Sequence, residues 1–416
     1  AIRALASGRT MPEAMGIDTA RYRMLIFVIA ALMAGLSGWL YAHLQRTVSA
    51  SPFGLNMGIE YLFMAVVGGV SSLWGAVLGA AMITGLKIQL QDWLPLLLGT
   101  EGNLEIVVLG AVIVAVMIHS RDGLLPWLAR QWARVQPPQP AVLPPAEVPQ
   151  GFRDMPRRPP SARGSVVLEV REASKHFGGL VAVNRMSFQV YAGEVVGLIG
   201  PNGAGKSTMF NLITGVLRPT SGEIRFGGER IDTLGSRHIV ARGVGRSFQH
   251  VRLVPQLSVL ENVAMGAHLR GGSGALRAAL RLDRREEARL LYLACETLRR
   301  VGLSDVMHLS AGSLSLGQQR TLEIARALCT DPTLLLLDEP AAGLRLKEKQ
   351  ALAALIAQLR EEGMSVLIVE HDMDFLMGLA DRLVVMEFGS LIAEGTPAEI
   401  QGNEAVLAAY LGGVAA

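Results

Sequence analysis

Gly200-Pro201-Asn202-Gly203-Ala204-Gly205-Lys206-Ser207 fits the pattern G-x-x-x-x-G-K-[ST]. A strand-like run, Glu194 to Ile199, precedes it, and an apolar helical run, Thr208 to Val216, follows. In that setting the glycines let the backbone curl so that its N–H groups point at phosphate oxygens, and the helix N-terminus adds a favourable dipole. Lys206 supplies charge to the β- and γ-phosphates, and Ser207 can ligate Mg²⁺. Gly200, Asn202, Gly203, Gly205 and Thr208 are the other expected nucleotide contacts. Further on, Leu334-Leu335-Leu336-Leu337-Asp338-Glu339 reads as a buried strand ending in two carboxylates. A parallel strand delivers its C-terminal end to the ligand crevice. Asp338 is therefore placed to hold the metal shell, and Glu339 to polarise an attacking water.

The rest of the chain is of a different character. Its 416 residues are half hydrophobic and only 18% charged, with a mean hydropathy of +0.35. That excludes a disordered or fibrous chain and points to membrane spans. The net charge of +3 gives no case for nucleic-acid binding. Cys295 and Cys329 stand alone, which makes neither a zinc pattern nor a disulfide framework and suits a reducing compartment.

The apolar residues concentrate before residue 120. Met24 to Leu44 holds 21 residues without Asp, Glu, Lys or Arg, enough to cross about 30 Å of hydrocarbon as a helix. Tyr61 to Leu86 is a second such stretch, broken by Gly68-Gly69-Val70-Ser71-Ser72-Leu73-Trp74-Gly75. Leu104 to His119 is shorter and carries Glu105. Arg3, Arg9, Arg21 and Arg23 precede the first span, and Arg121, Arg130 and Arg134 follow the last, so both ends are expected in the cytoplasm with an even number of crossings, two or four. Glu60 and Glu105 border apolar runs, where interfacial structural roles and contact with substrate are both open. Nine of the 19 prolines fall between Pro137 and Pro160, which predicts an extended linker unable to bury a core.

Leu314-Ser315-Leu316-Gly317-Gln318-Gln319-Arg320 resembles the L-S-x-G-Q signature of ABC ATPases. Gln249 in Arg246-Ser247-Phe248-Gln249 resembles the family's glutamine loop, and His371 in Val369-Glu370-His371-Asp372 its switch histidine. Phe177 matches the aromatic that stacks on adenine. The resemblance runs from about Val166 to Gly412 and implies ATP and Mg²⁺ as cofactors. It implies that two ATPase domains close head to tail, with Ser315, Gly317 and Gln318 meeting the partner's nucleotide. Glu339 and His371 would be catalytic, and Ser207, Gln249 and Asp338 would serve the metal. One position departs: Arg345 stands where the family carries Asn or Asp, which bears on communication between the two sites.

Within that family the chain is most similar to the branched-chain amino acid (Liv-type) importer. Phe177-Gly178-Gly179-Leu180, Val251-Arg252-Leu253, Ser258 to Val263 and Val406 to Gly412 carry the likeness in the ATPase half. Glu13-Ala14-Met15-Gly16-Ile17 with Arg21-Tyr22 resembles the permease's cytoplasmic coupling loop, and Gly68-Gly69, Ser72 to Gly75 and Arg121 to Leu124 resemble later permease segments. The expected organisation is an α-helical membrane segment followed by an α/β P-loop ABC ATPase domain. Residues 1–132 would be the C-terminal part of a permease, 133–165 the linker and 166–416 the ATP-binding domain. The likeness starting at the coupling loop implies the C-terminal part of a longer fusion or a truncated gene. The implied partners are a second ATPase domain, permease subunits, a periplasmic amino-acid-binding protein and the bilayer. The implied place is a bacterial inner membrane with the ATPase on the cytoplasmic side. An uncoupled ATPase on a membrane anchor and the ATPase of a lipopolysaccharide-type exporter are the rival readings.

Overall fold

A computed structural model describes the chain apart from residues 1, 47, 50–52, 71, 99–103, 121–122, 134–146, 154, 156, 160, 275–276, 279 and 412–416. The expectations attached to Ser71, Arg121, Asp122, Arg134 and Gly412 fall outside the described residues. Two compact units result, residues 1–27 with 141–416, and residues 28–140.

The short helix α1 (Thr10–Ala14) is followed by α2 (Thr19–Gln45), then α3 (Leu55–Gly68), α4 (Leu73–Leu98), α5 (Leu104–His119) and α6 (Leu124–Ala133). Both α2 and α4 are long and apolar enough to cross a membrane. The glycine-rich break falls where composition predicts it. Gly69 ends α3 at φ +115°, its N–H donating to the Ala65 carbonyl at 3.0 Å. The two helices then pack backbone to backbone, because a Cβ on Gly79 would overlap the Met64 carbonyl and one on Gly68 the Gly75 carbonyl. Met64, Val67, Ile83 and Ile113 form the small core of this unit. Helix α4 does not stop at Leu86 but runs on through Lys87, whose charge is met by Glu60 of α3.

In the other unit, β1 (Val166–Phe177), β2 (Leu180–Tyr191), β4 (Ser221–Phe226) and β5 (Glu229–Arg230) form an antiparallel sheet in the order β2-β1-β4-β5. A second sheet has the order β10-β9-β3-β8-β7-β6. Its members are β3 (Val195–Ile199), β6 (Val244–Arg246), β7 (Leu334–Asp338), β8 (Ser365–Val369), β9 (Arg382–Glu387) and β10 (Ser390–Gly395). All neighbours in it pair in parallel except β10 with β9. Strands β3, β7 and β8 are buried at every position, which is why they read as unbroken apolar runs rather than alternating ones. Helices α7 (Lys206–Ile213) and α8 (Ser236–Arg242) belong to the core, one face of which is sealed by Phe210, Met209 and Leu212. Helices α9 (Val259–Gly266), α10 (Arg284–Arg300) and α11 (Leu316–Leu328) pack around Val263, Leu298 and Leu322 as a helical subdomain. Helices α12 (Leu346–Glu361), α13 (Met373–Met377), α14 (Pro397–Gln401) and α15 (Glu404–Leu411) complete the unit.

The proline-rich stretch is not wholly a spacer. Phe152 packs edge-on against Tyr292 with ring centroids 4.6 Å apart, and Met155 packs on the same helical core. The Arg158 N–H donates to Asp331 Oδ2 at 2.8 Å, and its guanidinium donates to the Thr330 carbonyl at 2.8 Å and the Ala241 carbonyl at 2.6 Å. Composition misses this docking because three side chains suffice for it.

Candidate active site

Four neighbouring strands, β3, β8, β7 and β6, end side by side, and each is followed by a residue singled out from sequence. Gly200 to Ser207 follows β3, His371 follows β8, Glu339 follows β7 and Gln249 follows β6. This is the carboxyl edge of a parallel sheet, where crevices for ligands form.

The phosphate loop holds its curl with left-handed glycines. Gly205 has φ +99°, and a Cβ there would overlap the Ala182 carbonyl. Lys206 folds back over the loop, donating to the Gly200 carbonyl at 2.6 Å and the Pro201 carbonyl at 2.9 Å. Burial holds its ammonium below the usual lysine range, with the Glu339 charge opposing. Phe177, Asn202, Gly203, Gly205, Lys206, Ser207, Thr208, Gln249, Glu339 and His371 all line one open cavity of 510 Å³. Gly200 and Asp338 are not among its lining residues. Phe388, which no motif marks, joins the lining.

Glu339 is the focus of the polar contacts. His371 Nε2 lies 2.9 Å from its Oε1, and Gln249 Nε2 donates to its Oε2 at 2.9 Å. Its backbone sits at φ +47°, a conformation that costs a non-glycine residue about 1–3 kcal/mol. The Glu339 N–H donating to the Val369 carbonyl at 2.9 Å helps to hold it there. Glu370, buried behind His371, accepts from the Ala341 N–H at 2.6 Å and the His371 N–H at 3.0 Å, and so fixes the loops on both sides of Glu339. Burial pushes the Glu370 carboxyl up from its ordinary range.

Asp338 is 3% exposed and faces Arg246, whose Nη2 lies 3.2 Å from Oδ2. Arg246 also donates to Asn211 Oδ1 and Thr214 Oγ1, each at 2.8 Å. Burial raises the Asp338 carboxyl and Arg246 opposes it. Its Oδ1 is buried without a hydrogen-bond partner among the described residues. An orphaned carboxylate oxygen at the end of β7, one residue before the cavity-lining Glu339, fits the oxygen-only chemistry of Mg²⁺ and its water shell. Sequence reasoning missed Arg246 and Glu370, although each adjoins a motif: Arg246 opens the glutamine-loop run and Glu370 precedes the switch histidine.

Ser315, Gly317 and Gln318 are not in this cavity. They open α11, where Ser315 Oγ accepts from the Gln318 N–H at 3.3 Å and Gln318 Oε1 accepts from the Ser315 N–H at 3.1 Å. Gly317 packs on the side-chain end of Glu348 of α12, which a Cβ there would have to displace. Arg345 is exposed at the N-cap of α12, its N–H donating to Glu348 Oε2 at 2.9 Å.

The stretch that resembles a coupling loop is seated on the same unit. Met11, Met15 and Ile17 are buried against Phe248, Val254 and Leu257, the chain on either side of Gln249. Asp18 pairs with Arg237, and Tyr22 meets the His268 ring edge-on at 6.2 Å. Gly16 turns the chain at φ +79° directly against the Leu269 side chain. Gly16→Ala combines backbone strain with that overlap and is expected to weaken the seat by about 1–3 kcal/mol. Measured in the assembled transporter, it should lower partner-stimulated hydrolysis and spare basal hydrolysis.

A glycine-rich phosphate cradle, a strand-end carboxylate pair and a separate signature helix define a phosphate-loop ATPase of the ABC class. The ABC transporter family profile matches residues 183–342, a branched-chain amino acid transport permease profile matches residues 1–117, and a branched-chain amino acid ATP-binding cassette profile matches residues 390–416. The branched-chain amino acid transport ATP-binding protein BraF of Pseudomonas aeruginosa is 45% identical over 249 residues, 59% of this chain and 98% of that protein. LivG of Escherichia coli K12 is 43% identical over the same shares. A nucleotide-free ATP-binding cassette superposes with a TM-score of 0.54 at 31% identity, over 59% of this chain and 99% of that one, and the ADP form of the cassette MJ1267 with 0.53 at 30%, over 60% and 99%. The chain belongs to the ABC transporter family, in its branched-chain amino acid branch, and joins a permease-like region to an ATPase domain.

Proposed function

We propose that the chain is the ATP-hydrolysing subunit of an importer for branched-chain or related amino acids, seated in a bacterial inner membrane with its ATPase in the cytoplasm. The observation that carries this reading is the continuous contact from the coupling segment to the catalytic carboxylate. Met11, Met15 and Ile17 press on Phe248, the neighbour of Gln249, and Gln249 donates to Glu339. A shift of the permease segment therefore reaches the hydrolytic site through one short loop.

In this reading ATP lies in the cavity with its adenine against Phe177 and its phosphates in the loop from Gly200 to Thr208. Ser207, Gln249 and Asp338 would hold Mg²⁺, which would supply charge neutralisation at the phosphates. Glu339 accepts a proton from the attacking water, and His371 orients that carboxylate. Ser315, Gly317 and Gln318 stand outside their own chain's cavity, which supports closure of a second ATPase domain head to tail over the nucleotide. The helix N-terminus they form favours an anion. A permease partner and a periplasmic amino-acid-binding protein complete the importer.

The test is ATP hydrolysis by the chain in lipid nanodiscs, with and without a permease partner and a leucine-loaded binding protein. Stimulation by the loaded binding protein is expected. Hydrolysis indifferent to both partners would replace the importer with an uncoupled ATPase on an anchor. Stimulation by lipopolysaccharide partners instead would make it an exporter subunit.

A further inference from the structure

From Met24 to His119 the sequence carries six charged residues, and two of opposite sign meet within the α3–α4 hairpin. Lys87 Nζ donates to both carboxylate oxygens of Glu60, at 3.1 and 3.0 Å. The hairpin does not need this pair to close. Its apex is already fixed by Gly68, Gly75 and Gly79 in backbone contact, and the next layer by Met64, Val67 and Ile83. Lys87 lies twelve residues beyond Gly75, ~18 Å along a helix, inside the stretch Leu73–Trp93 that is long and apolar enough to cross a membrane. Charges within such a stretch are costly and are kept where they face one another or a pathway.

The pair is also open. The Glu60 side chain is 18% exposed and that of Lys87 36%. Elsewhere in the same chain a purely internal pair, Glu323 with Arg326, is sealed at 1% each. An open, bidentate pair of opposite charges is complementary to a ligand that carries both charges itself. A free α-amino acid has an ammonium and a carboxylate on one carbon. Exchanging Glu60–Lys87 for Glu60–ammonium and carboxylate–Lys87 leaves no charge unpaired in either state. A simple anion would strip Lys87 from Glu60 and leave the carboxylate bare, and a simple cation would do the reverse.

We propose that Glu60 and Lys87 form a zwitterion-binding site in the permease-like region, opening to take the substrate's α-ammonium on Glu60 and its α-carboxylate on Lys87. The site deepens the importer reading and rests on it. In the resting state the pair closes on itself, so the site stays neutral between transport cycles.

The experiment is binding of radiolabelled leucine to the full chain with its permease partner in nanodiscs, without binding protein, so that the affinity read is that of the membrane complex. Competition by 3-methylbutylamine, which lacks the carboxylate, and 4-methylpentanoate, which lacks the ammonium, is measured alongside. In the wild type neither analogue competes as well as leucine. Lys87→Met and Glu60→Gln each raise Kd at least about tenfold. The exchanged variant Glu60→Lys with Lys87→Glu keeps an ion pair but reverses it; it restores the yield of assembled complex and leaves Kd raised. A wild-type Kd in the exchanged variant would make the pair a brace and overturn the site. So would equal competition by either analogue, or no leucine binding by the wild type, and these two outcomes need no variant to fold. Loss of ATPase stimulation by the loaded binding protein in the wild type would overturn the importer reading instead.

Discussion

Glu339→Gln is expected to lower the turnover of ATP by about two to four orders of magnitude while leaving ATP affinity close to that of the wild type. The carboxylate lines the phosphate cavity and is the common partner of His371 and Gln249. Glutamine has the same shape and the same backbone, so the strained φ of +47° and the bond from its N–H to the Val369 carbonyl survive. Its carbonyl can still accept from Gln249 and its amide can face His371 Nε2. What is lost is the ability to take a proton from water. Affinity should hold because the phosphate contacts come from Lys206 and the loop N–H groups, not from Glu339. Single-turnover hydrolysis and titration with a fluorescent nucleotide separate the two quantities. Near-normal hydrolysis would remove Glu339 as the catalytic base.

That most of the expected site residues gather around one cavity was legible in sequence because the fold places them by strand ends. A run such as Leu334 to Leu337 is buried on both faces, so it appears as unbroken apolar sequence, and the polar residue after it must sit at the crevice. The apolar break at Gly68 to Gly75 was legible for a related reason: Gly68 approaches the Gly75 carbonyl, and Gly79 just beyond the break approaches that of Met64, too closely for any Cβ. Less was legible where one side chain changes a segment's fate. Lys87 looked like the end of an apolar stretch, yet α4 continues past it to Leu98, with Glu60 of α3 paired to its charge. Phe152, Met155 and Arg158 dock a stretch whose prolines suggested only a spacer. Arg246 and Glu370 act by burial beside recognised motifs, and burial is a long-range property that no local pattern records.

Glu323→Ala is expected to destabilise the ATPase unit by about 3–5 kcal/mol, although Glu323 touches no nucleotide-site residue. Glu323 and Arg326 are 2% and 1% exposed on α11, with Arg326 Nη2 3.3 Å from Glu323 Oε1. The same Oε1 accepts from the Arg252 N–H at 2.8 Å, and Arg326 Nη1 donates to the Arg252 carbonyl at 2.7 Å. Arg320, a turn earlier, donates to the Phe248 carbonyl at 3.0 Å. Three charged side chains of the signature helix thus grip the backbone on both sides of the glutamine loop, whose apolar side chains seat Met11, Met15 and Ile17. Burial pushes the Glu323 carboxyl up and the Arg326 guanidinium down, each against the attraction of the other, so the pair is retained at a cost in solvation. Removing the carboxylate alone leaves a fully buried guanidinium without its counter-charge, which chemical unfolding should register as a lowered midpoint at unchanged slope. The double replacement Glu323→Met with Arg326→Leu removes both charges and is expected to recover most of that loss, because apolar packing can replace a buried ion pair with little net change. It cannot restore the bonds to Arg252. If those bonds set the glutamine loop against the coupling segment, the double variant will be stable and hydrolyse ATP at its basal rate, yet respond weakly to a loaded binding protein. Full stimulation in a stable double variant would assign the ion pair to folding alone.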